Sequence, residues 1–214
     1  GLIFLLYADM FAGGANVGIN SKSQKIIFND VNAKIISLIE YIKNIDTEEL
    51  LKKIDDIIVK YGLSNTMLYG YKYYSCNSSE GLANYNKEAF LKLRKDYNKK
   101  LNEGIEDYIL LYVLIVFSFN NQVRFNSKGE FNLPVGKRDF NSKMRNKLIL
   151  FSKKLKEKEI EVNELNDDEL HILYTMACTP LFEIITHQYS YKNALNFISM
   201  MEAAMNFGWG RIIK

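Results

Sequence analysis

The sequence predicts an α/β protein that opens with half of a nucleoside-binding fold and continues as mostly helical chain. Three observations lead there. Leu2-Ile3-Phe4-Leu5-Leu6 is an apolar run of strand length, and it leads into Tyr7-Ala8-Asp9-Met10-Phe11-Ala12-Gly13-Gly14-Ala15-Asn16-Val17-Gly18. Lys25-Ile26-Ile27-Phe28 reads as a second strand closed by Asn29-Asp30, at roughly the 20-residue distance where an acid can hold ribose hydroxyls. Beyond Asp30, apolar residues recur at helical spacing over a long stretch.

In the first stretch, strand, glycine turn and helix start form the layout that turns backbone N–H groups toward a nucleotide-like ligand. Gly13 and Gly14 permit positive φ and close backbone approach. Asp9 leaves the strand end with its carboxylate in the crevice, and Ala15 to Asn20 can begin a short helix. The spacing is not GxGxxG, and an ordinary turn also accounts for a glycine pair.

With 214 residues and 48% of them hydrophobic, the chain can build one large domain or a domain with a sizeable insertion. A net charge of +3 is too small to require a polyanionic partner, so local basic clusters matter more. Cys76 and Cys178 lack metal-ligand spacing, and a reducing cytoplasm is expected. Leu2 to Leu6 is too short to span a bilayer and lacks the basic flank of a signal peptide, so no membrane association is expected. His171 and His187 read as packing or surface residues, and no metal site is expected.

Val31, Ile35, Leu38, Ile39 and Ile42 set one face of a helix from Asn32 to Lys43. Asp46 with Glu49 opens a second helix that runs to Tyr61 and stops at Gly62. From Gly62 to Gly81 the chain is irregular, and its tyrosines fit either base stacking or the packing of a loop or short strand. Asn84 to Leu101 returns to helix. Its run of Lys87, Lys92, Arg94, Lys95, Lys99 and Lys100 fits a solvated face or a phosphate-facing one. Ile105 to Phe119 is apolar nearly all round and reads as a buried helix. Another helix is expected from Asn141 to Lys158.

Between these last two helices, residues alternate apolar and polar on both sides of Ser127-Lys128-Gly129, which predicts a β-hairpin. Arg124, Asn126, Asn132, Lys137 and Arg138 carry the groups that meet base edges or phosphates, and a hairpin can enter a major groove. A surface hairpin with ordinary polar decoration fits the same composition.

Three segments together, in this order, resemble the Dam-like family of adenine-N6-specific DNA methyltransferases. They are Asp9-Met10-Phe11-Ala12-Gly13-Gly14, Asn29-Asp30-Val31-Asn32, and Arg124-Phe125-Asn126-Ser127-Lys128-Gly129-Glu130-Phe131-Asn132-Leu133-Pro134-Val135-Gly136. The resemblance covers roughly Tyr7 to Glu161. It implies a partial Rossmann-like fold dependent on S-adenosylmethionine, with residues 1–42 and 151–214 forming the cofactor-binding domain. Residues 43–150 would be an inserted helical target-recognition domain that carries the hairpin and reads double-stranded DNA. By the same resemblance, Asp9, Phe11, Ala12, Gly13 and Gly14 line the cofactor, with Asp30 on its ribose. Also by the resemblance, Arg124 reads guanine and Pro134 makes an apolar contact. From side-chain chemistry and position along the hairpin, Asn126 and Asn132 are candidates for base contacts, and Lys137 and Arg138, at its far end, for phosphates.

The family holds its flipped adenine with Asp/Asn-Pro-Pro-Tyr/Phe. This sequence contains no full match; Thr179-Pro180-Leu181-Phe182 keeps one proline and the aromatic. The family's N-terminal Gly-Gly-Lys segment is also not found. The implied function is site-specific adenine-N6 methylation, by a member that is truncated or inactive as it stands. The alternative is a non-catalytic DNA-binding remnant or partner module. A methyltransferase of small molecules on the same half-fold would leave the hairpin unexplained.

Overall fold

A computed structural model describes residues 6–9, 12–30 and 32–162. Strands β1 (Leu6–Asp9) and β2 (Lys25–Phe28) lie side by side and parallel, with Asp9 opposite Phe28. Strand β3 (Glu159–Val162) pairs in parallel with the other edge of β2, Lys25 opposite Glu159, so β2 is central. Ile26, Ile27 and Phe28 are all buried, as a strand covered on both faces requires. The expected adjacency of the first two strands therefore holds for the described part of the first; Leu2 to Leu5 lie outside the described residues.

The chain between β2 and β3 is helical. Helix α1 (Ala33–Asn44) buries Ile35, Ile36, Leu38, Ile39 and Ile42. Helix α2 (Thr47–Tyr61) is capped as the sequence predicts, because the Asp46 carboxylate accepts from the N–H groups of Glu48 and Glu49 at 2.9 and 3.0 Å. The Glu49 carboxylate turns to Lys53 at 3.0 Å. Gly62 takes φ 70° and closes the helix from the left-handed region. Helices α4 (Ala83–Asn102) and α5 (Tyr108–Phe117) pack on α2 and on one another. All but Tyr108, Tyr112 and Ile115 of α5 are buried. Helix α6 (Ser142–Glu157), capped by the Asn141 side chain at 3.1 Å from two N–H groups, leads into β3.

Residues 62–81 differ from the expected loop or short strand. They hold helix α3 (Thr66–Tyr73), kinked at Gly70, where φ is 68°. Its first turn is fixed from far along the chain: the buried Asp139 carboxylate accepts from the Thr66 N–H at 2.6 Å and from its hydroxyl at 2.9 Å. Nearby, Ser64 and Asn86 exchange two 2.8 Å bonds in a buried pair. Tyr69 and Tyr73 are exposed and stack with centroids 4.8 Å apart, while Tyr74 is buried against Tyr85 at 4.5 Å.

The predicted β-hairpin does not form as a two-stranded ladder. The two arms meet at a single antiparallel bridge, Phe125 to Phe131, and Ser118 bridges Val135 separately. The bonds across the arms are Asn126 N–H to Glu130 C=O at 2.9 Å and Asn132 N–H to Arg124 C=O at 3.2 Å. Beyond them the returning arm gives its backbone groups to other partners. The Phe119 N–H takes the Pro134 carbonyl at 2.9 Å and the Gly136 N–H takes that of Phe117 at 2.7 Å, so a longer ladder would leave buried groups unpaired.

Candidate functional site

The carboxyl ends of β1 and β2 are tied together by backbone and carboxylate bonds. The Asn29 N–H donates to the Asp9 carbonyl and the Ala12 N–H to the Asn29 carbonyl, both at 2.9 Å. Between them the loop turns through Gly13 at φ 46°, and the Gly13 N–H donates to the Asp30 carboxylate at 2.7 Å. The other Asp30 oxygen accepts from the Asn32 N–H at 2.8 Å, at the entry to α1. Asp30 is half-buried, and a carboxylate offers about four acceptor positions, so two bonds leave room for further donors. Gly13 and Gly14 are exposed; Ala12 is buried.

Asp9 is buried, and its carboxylate accepts from the Gly18 N–H at 2.9 Å. Sequence reading did not single out Gly18. A Cβ there would stand 2.6 Å from the Phe28 ring and 3.0 Å from an Asp9 carboxylate oxygen, so only glycine lets the loop close on Asp9. The expected helix start at Ala15 is instead a left-handed residue, φ 57°, and helical geometry is confined to a short 3-10 turn, Gly18–Asn20.

The second group of residues lies on the 124–138 segment. Arg124 is exposed, and its guanidinium donates through Nε to the Asn132 side-chain oxygen at 2.8 Å and through Nη2 to the Asn132 carbonyl at 3.3 Å. Asn126 is occupied in shaping the turn: its oxygen accepts from the N–H groups of Lys128 and Glu130, both at 2.9 Å, and its amide donates to Glu130 at 3.1 Å. Hydrogen bonds from Asn126 and Asn102 hold the Glu130 carboxyl below its ordinary range. Pro134 and Lys137 are exposed, and Arg138 reaches back to the Ser78 carbonyl at 3.2 Å.

Helix α1 touches the second group through one side chain. Lys34, four positions past Asp30, lies 5.8 Å over the ring of Phe125, the neighbour of Arg124. The same ammonium pairs with Glu106 at 3.0 Å, and Glu106 accepts from the buried Tyr97 hydroxyl at 2.6 Å. Burial, and secondarily that carboxylate, push the Tyr97 phenol upward.

Sequence reading also missed a polar stripe on α4. Arg94, Asn98 and Asn102 recur every four residues and all face the turn: Arg94 donates to the Leu133 carbonyl at 2.8 Å, and Asn98 bonds both backbone groups of Phe131. Arg94 is thus half-buried and tied to the turn, not fully on a solvated face. Its signal was the i, i+4, i+8 spacing, hidden among neighbouring lysines. Phe11 and the Thr179-Pro180-Leu181-Phe182 segment lie outside the described residues. Among the described residues no cluster of three His, Cys, Asp or Glu could hold a metal, and no helix is long and apolar enough to cross a membrane.

Comparison with known proteins bears on these arrangements. The model of the D12 class N6 adenine-specific DNA methyltransferases matches residues 6–174. Modification methylase StsI of Streptococcus sanguinis is 39% identical over 151 residues, covering 70% of this chain and 19% of that protein. Type II methyltransferase M.FokI of Planomicrobium okeanokoites is 32% identical over 194 residues, 87% of this chain and 26% of its own length. Modification methylase LlaI of Lactococcus lactis subsp. lactis is 27% identical over 171 residues, 76% of this chain and 24% of its own. The chain therefore spans only about a fifth to a quarter of the length of these relatives.

Proposed function

Because this chain belongs to the D12 class N6 adenine-specific DNA methyltransferase family, we propose that it takes part in methyl transfer from S-adenosylmethionine to adenine N6 in double-stranded DNA. The observation that carries the proposal is the pair of strand-end acids. Asp9 and Asp30 stand at the carboxyl ends of adjacent parallel strands and are joined by one glycine-containing loop.

The residues present fit the cofactor. Asp30, with acceptor positions beyond its two N–H bonds, would take the ribose hydroxyls. Gly13 and Gly14, exposed and without side chains, would let the cofactor approach the backbone, with Ala12 and Phe11 beside them. Asp9 holds the loop through Gly18, and its carboxylate charge suits the amino end of the methionine moiety. When bound, S-adenosylmethionine supplies an electrophilic methyl group. The chain's own work is then to orient the adenine amino group, whose lone pair is conjugated with the ring, so that this pair faces the methyl group and the nitrogen can shed a proton to solvent as it gains the methyl.

On the DNA side, Arg124 would read guanine from the major groove. Pro134 and Asn132 would lie beside it, and Asn126 would act through the turn it shapes. Lys137 and Arg138 would meet the backbone. Thr179-Pro180-Leu181-Phe182 is the candidate segment for the extruded adenine, with Phe182 to stack and the Thr179 hydroxyl to accept from the amino group.

Titration calorimetry with S-adenosylmethionine tests the cofactor half. Asp30→Ala should weaken binding by about 1.5–3 kcal/mol, the value of a charge-assisted hydrogen bond. Equal affinity in the variant would remove Asp30 from the ribose. The second reading is a DNA-binding module without catalysis; duplex binding with no cofactor heat would select it.

A further inference from the structure

Among the described residues no strand pairs with the outer edge of the returning arm of the 124–136 turn, yet the Phe131 N–H and the Phe131 and Leu133 carbonyls on that edge are paired. The Asn98 carboxamide of α4 accepts from the Phe131 N–H at 2.9 Å and donates to the Phe131 carbonyl at 3.0 Å. It thus supplies a donor and an acceptor side by side, as the peptide group of a third strand would. One helical turn earlier, Arg94 donates to the Leu133 carbonyl at 2.8 Å; one turn later, Asn102 reaches Glu130 at 3.4 Å. Ascending positions of the helix hold descending positions of the arm.

We propose that this Arg94–Asn98–Asn102 stripe determines DNA sequence preference by positioning the turn, Asn98 and Arg94 being positioning residues for Arg124; the inference rests on the reading of Arg124 as a base contact. The chain of constraint is short. Phe131 and Leu133 are each clamped by α4 and are themselves buried, so Asn132 between them is fixed on both sides. Asn132 then grips Arg124 through Nε and Nη2. Those bonds use the Nε edge of the guanidinium and leave its Nη1 end, with the remaining Nη2 hydrogen, to face a pair of acceptors such as guanine O6 and N7. An exposed arginine held in this way meets a base without first losing its rotamer freedom. Because one bridge joins the two arms, α4 takes over the alignment that a hairpin ladder would otherwise provide.

The test incubates the chain with duplexes randomised at their centre and sequences the bound fraction, while thermal melting confirms folding of each variant. Asn98→Asp keeps the size and the acceptor but sets an oxygen against the Phe131 carbonyl. Arg94→Gln removes the bond to Leu133 from a half-buried position and serves if Asn98→Asp does not fold. We expect Arg124→Ala to erase the preference at one guanine, and Asn98→Asp to lower enrichment at that same position about ten-fold, within the range of one bidentate base contact. A merely structural role would lower the melting temperature and leave the profile as in wild type. Folded Asn98→Asp and Arg94→Gln chains with the wild-type profile, beside an altered Arg124→Ala profile, would overturn the inference and leave base reading intact. A flat wild-type profile, or one that Arg124→Ala does not change, would remove the base-reading premise and the inference with it.

Discussion

A methyl group cannot be added at Gly18 without moving either the Phe28 ring or the Asp9 carboxylate. Overpacking of this kind in a buried loop costs about 1–3 kcal/mol, so Gly18→Ala should lower the unfolding free energy by that amount in urea titration. A loss below about 0.5 kcal/mol, the size of an ordinary surface substitution, would mean that the loop relaxes freely. At this scale the sequence was readable where chemistry is local. Gly13 and Asp30 meet because strand, turn and strand lengths force them to, and Asp46 caps α2 through residues two and three positions away. Gly18 was not readable, because its crowding comes from the ring of a residue on the neighbouring strand.

Among the elements, α3 shows what local propensity lacks. Asn65 caps it locally through the Leu68 N–H at 3.2 Å, but its first N–H is satisfied by Asp139, 73 positions away, which no window around Thr66 contains. Burial raises the Asp139 pKa despite the Thr66 bonds that lower it. Below its ordinary value, about 4, the carboxyl is neutral folded and unfolded. Between that value and the raised one the folded chain binds more protons, so the unfolding free energy falls as pH rises through the window. Replacing the group with an uncharged one removes that loss: Asp139→Asn should gain stability relative to wild type as pH rises from about 4. Urea melts of both proteins across that range check it, and a constant difference between them would contradict it. The hairpin failed for a related reason. The alternation around Ser127-Lys128-Gly129 is real, but the partners of the second arm are side chains of α4 and the backbone after α5, and sequence alternation says nothing about who fills an edge.

For the molecule as a whole, a net charge of +3 conceals a local imbalance. A cleft of about 560 Å³ is lined by Arg138, Lys143 and Lys147 with polar and apolar neighbours, and no carboxylate is among its lining residues. Lys137, beside it in sequence, is exposed. If DNA runs along this side, Lys137→Ala should weaken binding to all duplexes alike and reduce the slope of log affinity against log salt by about 1. Fluorescence anisotropy on two unrelated duplexes at several salt concentrations checks this; a loss confined to one duplex would contradict a phosphate role. The parallel order of β1 and β2 was legible from the apolar runs and the strand-end acids. The resemblance already returned the chain from residue 151 onward to the sheet-bearing domain, but the pairing of β3 with β2 was not legible in Glu159-Ile160-Glu161-Val162 alone.

That place has a consequence for how the chain acquires its structure. The first two strands are joined by contacts only 17 positions apart, such as Gly13 to Asp30, whereas Lys158 reaches Ser23 across 135. Closing so long a loop adds little to the entropy cost but slows the search, because the reward arrives only when the distant segment docks. In synthesis, β3 leaves the ribosome after every helix from α1 to α6 is already outside. The sheet should therefore assemble in two stages, β1 with β2 first and β3 after the helices have packed. Pulse-labelled amide exchange during refolding should protect the N–H groups shared by β1 and β2 before those that bind β3. Simultaneous protection would instead make β3 part of the nucleus. Until β3 docks, one edge of the buried central strand stands open, and that interval is when this chain is most exposed to pairing with the wrong partner.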